Sequence, residues 1–434
     1  MALLRTIGRW TLTGLMINCT IGGGIFGLSG ELARSLGRLS PLAMLAGAVT
    51  AGIIIACAAE VASQFPEAGG SYLYIRRAFG RFAGLQAAWF NWLLVAGAVA
   101  AIANVCASYL GDMIPALSAG WARSCVTAVL IGIPTVVNCL GVRSGARLNS
   151  VLAVAKLLPM GLLIVTGLEH SWAHTTVDWN WDPPAADWGT WFTALLAVFF
   201  IYDGWEDVVV PSEEIKQPRK AIPFALGAGL LVAALIYALL QYVTISTVGT
   251  SPTDHALADV AAILMGDTGR KFVGVAAVVS SYGYIAAAFV TAPRLAYALA
   301  NAGEGPQVFA VVHPTLQTPI YAIGTFAIVS WILAATGTFR WALELAAGSA
   351  AVISAGVCAS LIQLRRARPT ANALRVPFGY LLAILGIGQC AILLAQLDVR
   401  HACLLLVTSS LSAGNWLWVA VQRKYGRWRR VDVA

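Results

Sequence analysis

Charge is scarce in this sequence. Only 11% of its 434 residues are Asp, Glu, Lys or Arg, less than half the roughly 25% of ordinary soluble domains, so water is not its main solvent. The eight Cys include no CxxC pair and lie mostly within apolar runs, and no Cys/His cluster has metal-ligand spacing. A disulfide framework and a zinc site therefore lack support, and the thiols read as small apolar packers. Five His are scattered, with His170, His174, His255 and His401 in one set of loops and His313 in the other; each reads as a solvated loop residue. No G-x-x-x-x-G-K loop occurs, which argues against a nucleotide-driven pump. Nor is there a His/Asp/Glu cluster at nucleophile or metal spacing, so a membrane-embedded enzyme has no support and no cofactor is expected. No soluble domain is present either: the longest loops, at 169–187 and 249–266, carry turn formers.

What the chain has is apolar length. Hydrophobic residues make up 59% of it, and they gather in runs that often reach the roughly 20 residues a helix needs to cross a bilayer. The expected spans are 10–36, 41–64, 84–111, 121–141, 147–168, 188–211, 221–249, 269–300, 318–337, 342–364, 376–396 and 401–421. The fold class is thus an all-α polytopic membrane protein, since helices satisfy their own backbone in lipid. Runs such as 42–59 are apolar on every face and exclude the alternation of a membrane barrel. The first run continues past Gly24 without a small-residue cleavage pattern and reads as a span rather than a signal peptide.

The net charge of +8 points to membrane topology rather than to nucleic acid, because the basic residues alternate from loop to loop. Arg76, Arg77, Arg81, Lys216, Arg219, Lys220, Arg365, Arg366 and Arg368 fall on one side with both termini. The other side holds Arg34, Arg38, Arg123, Arg270, Lys271, Arg340 and Arg400. The richer side, with both termini, is expected to be cytoplasmic. Trp121, Trp188, Trp191, Trp416 and Trp418 sit near span ends, as interfacial anchors should.

Four spans and two loop motifs carry the candidate chemistry. In the first span, Gly22, Gly23, Gly24 and Gly27 fall within six positions, and each glycine costs a helix about 1 kcal/mol relative to alanine. The helix is expected to unwind there, presenting the N-terminus of its outer half to an anion; close packing through small residues is the plainer alternative. The run also matches G-x-G-x-x-G, but no strand precedes it, so a dinucleotide fingerprint is rejected. In the sixth span, Tyr202-Asp203-Gly204-Trp205-Glu206-Asp207 places a glycine and three carboxylates in an apolar helix. Ionisable groups at that depth are functional candidates first, although those near a loop can snorkel or cap. Lys156, inside the fifth span, needs an internal partner. Ser280 and Ser281 add mid-span hydroxyls in the eighth span, for which helix packing is an equal alternative. Phe65-Pro66-Glu67-Ala68-Gly69-Gly70-Ser71-Tyr72 and Glu213-Glu214-Ile215-Lys216-Gln217-Pro218-Arg219-Lys220 read as gate or loop-docking elements, against plain solvated turns.

Together these motifs, with Pro293-Arg294 ahead of Thr318-Pro319, resemble the amino acid, polyamine and organocation transporter superfamily, specifically bacterial relatives of the L-type amino acid transporters. The resemblance implies the leucine-transporter fold. That fold has a first inverted repeat over 1–168, a second over 188–364 and two additional helices over 376–421, with twelve spans in all. It implies that the amides of Gly22, Gly23, Gly24 and Ile25 receive a substrate carboxylate. Carbonyls near Thr20, Ile21, Phe200 and Asp203 receive its ammonium, with Tyr202 and Gly204 completing the site. It gives Lys156 the place of a sodium ion, so that transport is sodium-independent. Lys156, Glu206, Ser280 and Ser281 are then coupling or bracing residues; for Lys156 the choice is between carrying a proton and bracing the first helix against the eighth. The sequence departs from the pattern where a Gly-Ser-Gly triplet is glycine throughout, and where Glu206 replaces a neutral amide. The implied function is a transporter of L-α-amino acids, neutral ones by expectation, in a bacterial inner membrane, working as an exchanger or with protons as partners. A transporter or exchanger of cationic amino acids or polyamines is the alternative. A channel is disfavoured by the paired broken helices, and nothing decides whether an accessory subunit binds.

Overall fold

Apolar stretches of this length in lipid have one economical outcome, and the computed structural model is built of helices, with no strand among the described residues. It describes residues 7–65, 67, 69–140, 145–173, 187–209, 212, 215–367 and 373–424, with side chains at 145–155 and 422–424 left aside. Pro66, Ala68, His174, Glu213 and Glu214 lie outside the described residues.

The chain opens with α1 (Arg9–Thr20) and α2 (Gly24–Leu36), followed by α3 (Ser40–Gln64), α4 (Gly70–Phe79), α5 (Arg81–Met113), α6 (Gly120–Cys139) and α7 (Gly145–Ala173). A second broken pair, α8 (Trp188–Ile201) and α9 (Trp205–Val209), leads to α10 (Pro218–Val248), α11 (Ala256–Asn301), α12 (Ile320–Thr336), α13 (Phe339–Arg366), α14 (Gly379–Ala395) and α15 (Val399–Lys424). Seven segments among the described residues are long and apolar enough to cross a membrane, and α12 and α14 are shorter apolar helices.

Helix α5 is the central strut, packed against α4, α11, α12, α13 and α15. Its run of small residues from Ala96 to Ala103 is almost wholly buried, which lets neighbouring backbones approach closely. The periphery is the reverse of a soluble surface. On α12, α14 and α15, Ile328 and Ile384 are 60% exposed and Leu406 66%, a lipid-facing pattern that water would penalise. Trp121 and Trp188 are likewise exposed, whereas Trp191 is partly buried.

Two expectations are corrected. Residues 249–266 are not one long loop: α11 starts at Ala256, and only a kink at Gly266 (φ 69°) interrupts it. The early start is favoured because Ala256, Leu257, Val260 and Ala261 are buried and Asp259 accepts from the amide and hydroxyl of Thr253, at 2.9 and 2.6 Å. Nor are all His solvated. His401 is 1% exposed, with Nε2 2.9 Å from the Trp341 carbonyl, and His255 Nε2 lies 2.9 Å from the Ser108 hydroxyl. His255 is the N-cap of α11 and His401 lies in the first turn of α15, so both imidazoles meet partners from neighbouring helices.

Candidate functional site

The two helix breaks lie against each other. Residues 21–23 interrupt the run from α1 to α2, and 202–204 interrupt α8 to α9. The approach is tight: Gly204 has φ +107°, and a Cβ there would sit 3.0 Å from the Cys19 carbonyl. Only glycine meets both demands, a left-handed backbone and contact with another chain segment.

Side chains tie the breaks into the bundle. The Tyr237 hydroxyl, on α10, lies 2.8 Å from the Thr20 carbonyl and 3.2 Å from the Ile201 carbonyl, the loose C-terminal ends of α1 and α8. Those carbonyls have no next helical turn to bond to. Tyr202 donates to the Met44 carbonyl at 3.0 Å, and Lys156 Nζ donates to the Asn18 carbonyl at 2.6 Å. Lys156 is 5% exposed, so its ammonium rests on the last turn of α1.

A narrow cavity of about 50 Å³ opens at the crossing. Its walls include Cys19, Thr20, Gly22 and Gly24 from the first break and Phe200, Ile201, Asp203, Gly204, Glu206 and Asp207 from the second. Asn91, Leu94, Val95, Ala98 and Ile102 line it from α5, and their spacing is that of a single helical face. Tyr284 of α11 completes the wall. Oδ1 of Asp203 and Oε1 of Glu206 are buried without a hydrogen-bond partner among the described residues. Acceptors in that condition are costly and call for a ligand, a proton or water.

Of the residues singled out from sequence, Thr20, Gly22, Gly24, Phe200, Asp203, Gly204 and Glu206 meet on this cavity, while Ile21, Gly23, Ile25 and Tyr202 are buried just behind it. The Gly22 amide donates to the Thr20 carbonyl at 3.0 Å, and the Asp203 amide to the Phe200 carbonyl at 3.2 Å. Gly24 and Ile25 begin α2, so their amides have no acceptor within the helix. The glycines are also a packing device: a Cβ at Gly24 would press on Ile201, and one at Gly27 on Phe339 and Val105. Ser280 and Ser281 are buried, with neither hydroxyl partnered among the described residues.

The cavity lies beside the middle of α5 and its Arg81-proximal half. Toward the opposite end Arg34 bonds Asp254 (2.8 Å) and the Pro252 carbonyl (3.0 Å), Glu31 pairs with Arg340, and Tyr109 donates to the Phe26 carbonyl (3.2 Å). The loop motifs fall at the Arg81-proximal end. Tyr72 and Arg81 both donate to Glu304, at 2.7 and 2.9 Å, Phe65 stacks on Tyr74, and the Lys216 amide reaches the Ile7 carbonyl at 2.8 Å.

Sequence reasoning missed Asn91 and Tyr237. A lone Asn or Tyr in an apolar run carries no local signal, because its role depends on which helix end it meets.

Comparison with known proteins gives a family model described as "Amino acid permease", matching residues 7–421. The "Serine/threonine exchanger SteT" of Bacillus subtilis is 27% identical over 337 residues, 74% of this chain and 74% of that protein. The "Methylthioribose transporter" of the same organism is 27% identical over 422 residues, 90% of this chain and 87% of its own length. The human "Large neutral amino acids transporter small subunit 2" is 28% identical over 354 residues, 76% of this chain but only 64% of the human protein.

Proposed function

The chain belongs to the amino acid permease family, and on that premise we propose that it is a sodium-independent secondary transporter of L-α-amino acids working by alternating access. It is a membrane transporter and not an enzyme. The observation that carries the substrate assignment is the crossing of two broken helices at one cavity. An α2 N-terminus favours a carboxylate there, while the loose carbonyls of α1 and α8 and the carboxylate of Asp203 favour an ammonium. An α-amino acid offers both groups a short distance apart.

The architecture in this reading is twelve spans, with α1–α7 and α8–α13 as inverted five-span repeats, α14 and α15 as the additional pair, and both termini in the cytoplasm. Lys156 supplies a fixed positive charge at the Asn18 carbonyl, where a coupling cation would otherwise brace α1. In this reading the ties between α2, α13 and the segment before α11 belong to the outer gate.

A second reading, cationic amino acids or polyamines, is favoured by one specific feature: Asp203, Glu206 and Asp207 all line the cavity. One ammonium offsets one carboxylate, and a substrate with a second positive charge offsets another.

Uptake into proteoliposomes decides between them. Radiolabelled leucine, serine, lysine, putrescine and methylthioribose are offered without sodium, with and without internal substrate, at two external pH values. Saturable uptake of leucine or serine supports the first reading, and preference for lysine the second. Uptake of putrescine or methylthioribose alone would remove the carboxylate from the substrate and overturn the α-amino acid assignment.

A further inference from the structure

Buried serines in this protein fall into two groups. Ser29, Ser349 and Ser360 each donate to the carbonyl four residues earlier, at 2.8, 2.9 and 2.7 Å, the usual way a helical hydroxyl in lipid satisfies itself. Ser281 on α11 belongs instead with Ser280, Ser330, Ser354 and Ser412, whose buried hydroxyls have no partner among the described residues; what sets it apart is its place beside the start of α2. It is 0% exposed, and its hydroxyl has no partner among the described residues. The Oγ lies in the space that a side chain at Gly23 would fill; Ile102 of α5 crowds the same spot, 3.3 Å from that missing Cβ. Gly23 is the N-cap of α2 and offers no side-chain cap. One helical turn further along α11, Tyr284 lines the cavity and approaches Gly22. A helix N-terminus without a cap of its own thus meets a buried hydroxyl without an acceptor.

We infer that Ser281 is a substrate-contacting residue: its hydroxyl, reaching across from α11 beside Gly23, joins the first-turn amides of α2 in holding the substrate's carboxylate. The inference rests on the proposed α-amino acid function and adds a donor to it. The physical logic is complementarity. An N-cap side chain would normally come from the capping residue itself, but one at position 23 collides with α11. The hydroxyl comes instead from α11 and fills the space that a side chain at Gly23 would take. The hydroxyl has no acceptor among the described residues, and a carboxylate at the α2 N-terminus would supply one. A donor on α11 also couples carboxylate binding to the packing of that helix on the α1–α2 break, a contact that the α2 amides alone do not make.

The test uses full-length protein in proteoliposomes, with whichever of leucine, serine or lysine the wild type transports at lowest KM. Ser281→Ala removes the hydroxyl alone. Loss of a hydrogen bond to a charged group is worth about a tenfold rise in KM, with Vmax per folded protein little changed. The matching amino acid amide, a competitor that lacks the carboxylate, should lose far less than tenfold in Ki. A second pair keeps the inference testable if Ser281→Ala is poorly recovered. Gly23→Ser alone should fail through the collision, and Gly23→Ser with Ser281→Gly should restore KM to within a few-fold of wild type. An unchanged KM in Ser281→Ala, equal losses for the acid and its amide, or a double variant no better than Gly23→Ser alone would each overturn the role of Ser281. Failure of the wild type to take up any amino acid would sink the underlying reading instead.

Discussion

Replacing Tyr237 by Phe tests the idea that one hydroxyl holds the two helix breaks together. The ring is fully buried and meets Tyr202 edge-on at 5.3 Å, so Phe preserves packing and deletes only the O–H. That hydroxyl is 2.8 Å from the Thr20 carbonyl and 3.2 Å from the Ile201 carbonyl, and having one proton it serves one of them at a time. After the substitution Thr20 keeps the Gly22 amide at 3.0 Å, whereas Ile201, at the C-terminal end of α8, loses this donor. An orphaned buried carbonyl costs about 1–3 kcal/mol, and lipid supplies no water to replace the bond. The expected stability loss is in that range, read by SDS titration of the purified protein in mixed micelles. Thr20 and Ile201 both line the cavity, so the KM for uptake should rise several-fold as their carbonyls drift. A stability change within about 0.5 kcal/mol, the size of an inert surface change, together with an unchanged KM, would refute the reasoning.

Away from the site, Glu60 is 1% exposed and takes two bonds from Arg365, at 2.7 and 2.6 Å, and one from the Val376 amide at 2.8 Å. Arg365→Met strands a buried carboxylate and should cost about 3–5 kcal/mol, most of it recovered in Glu60→Gln/Arg365→Met; equal stability of the two variants in the same SDS titration would show that charge is not the cause. Gly204→Ala combines a left-handed φ with a Cβ pressed on the Cys19 carbonyl. The φ alone costs about 1–2 kcal/mol, and uptake per mole of reconstituted protein should be lost; transport at the wild-type rate would mean that the two breaks need not touch.

Much of the site was legible because breaks in membrane helices need unusual residues. Gly22, Gly23 and Gly24 announced the first interruption, and Asp203 with Gly204 the second, each by being expensive in an apolar helix. Lys156 was legible for the same reason, since a lysine within a span needs a partner, although nothing near it in sequence named the Asn18 carbonyl. By contrast, Glu60 and Arg365 are 305 positions apart and gave no sign of pairing. Tyr237 and Asn91 look like ordinary span residues until the helices are assembled. The start of α11 was misjudged because its first turns are held by burial and by Asp259, not by an apolar run long enough to mark a span.

What the sequence determined by itself is the solvent and the helical class, because composition and run length decide whether a segment can leave water, and lipid then demands helices. It also fixed where those helices break, since glycine and charge act locally. Only the tertiary structure decided which break faces which, which carbonyl each buried donor meets, and that three carboxylates share one cavity. Those outcomes depend on helix rotation and register, which are set by side chains packing across distances that no local pattern encodes.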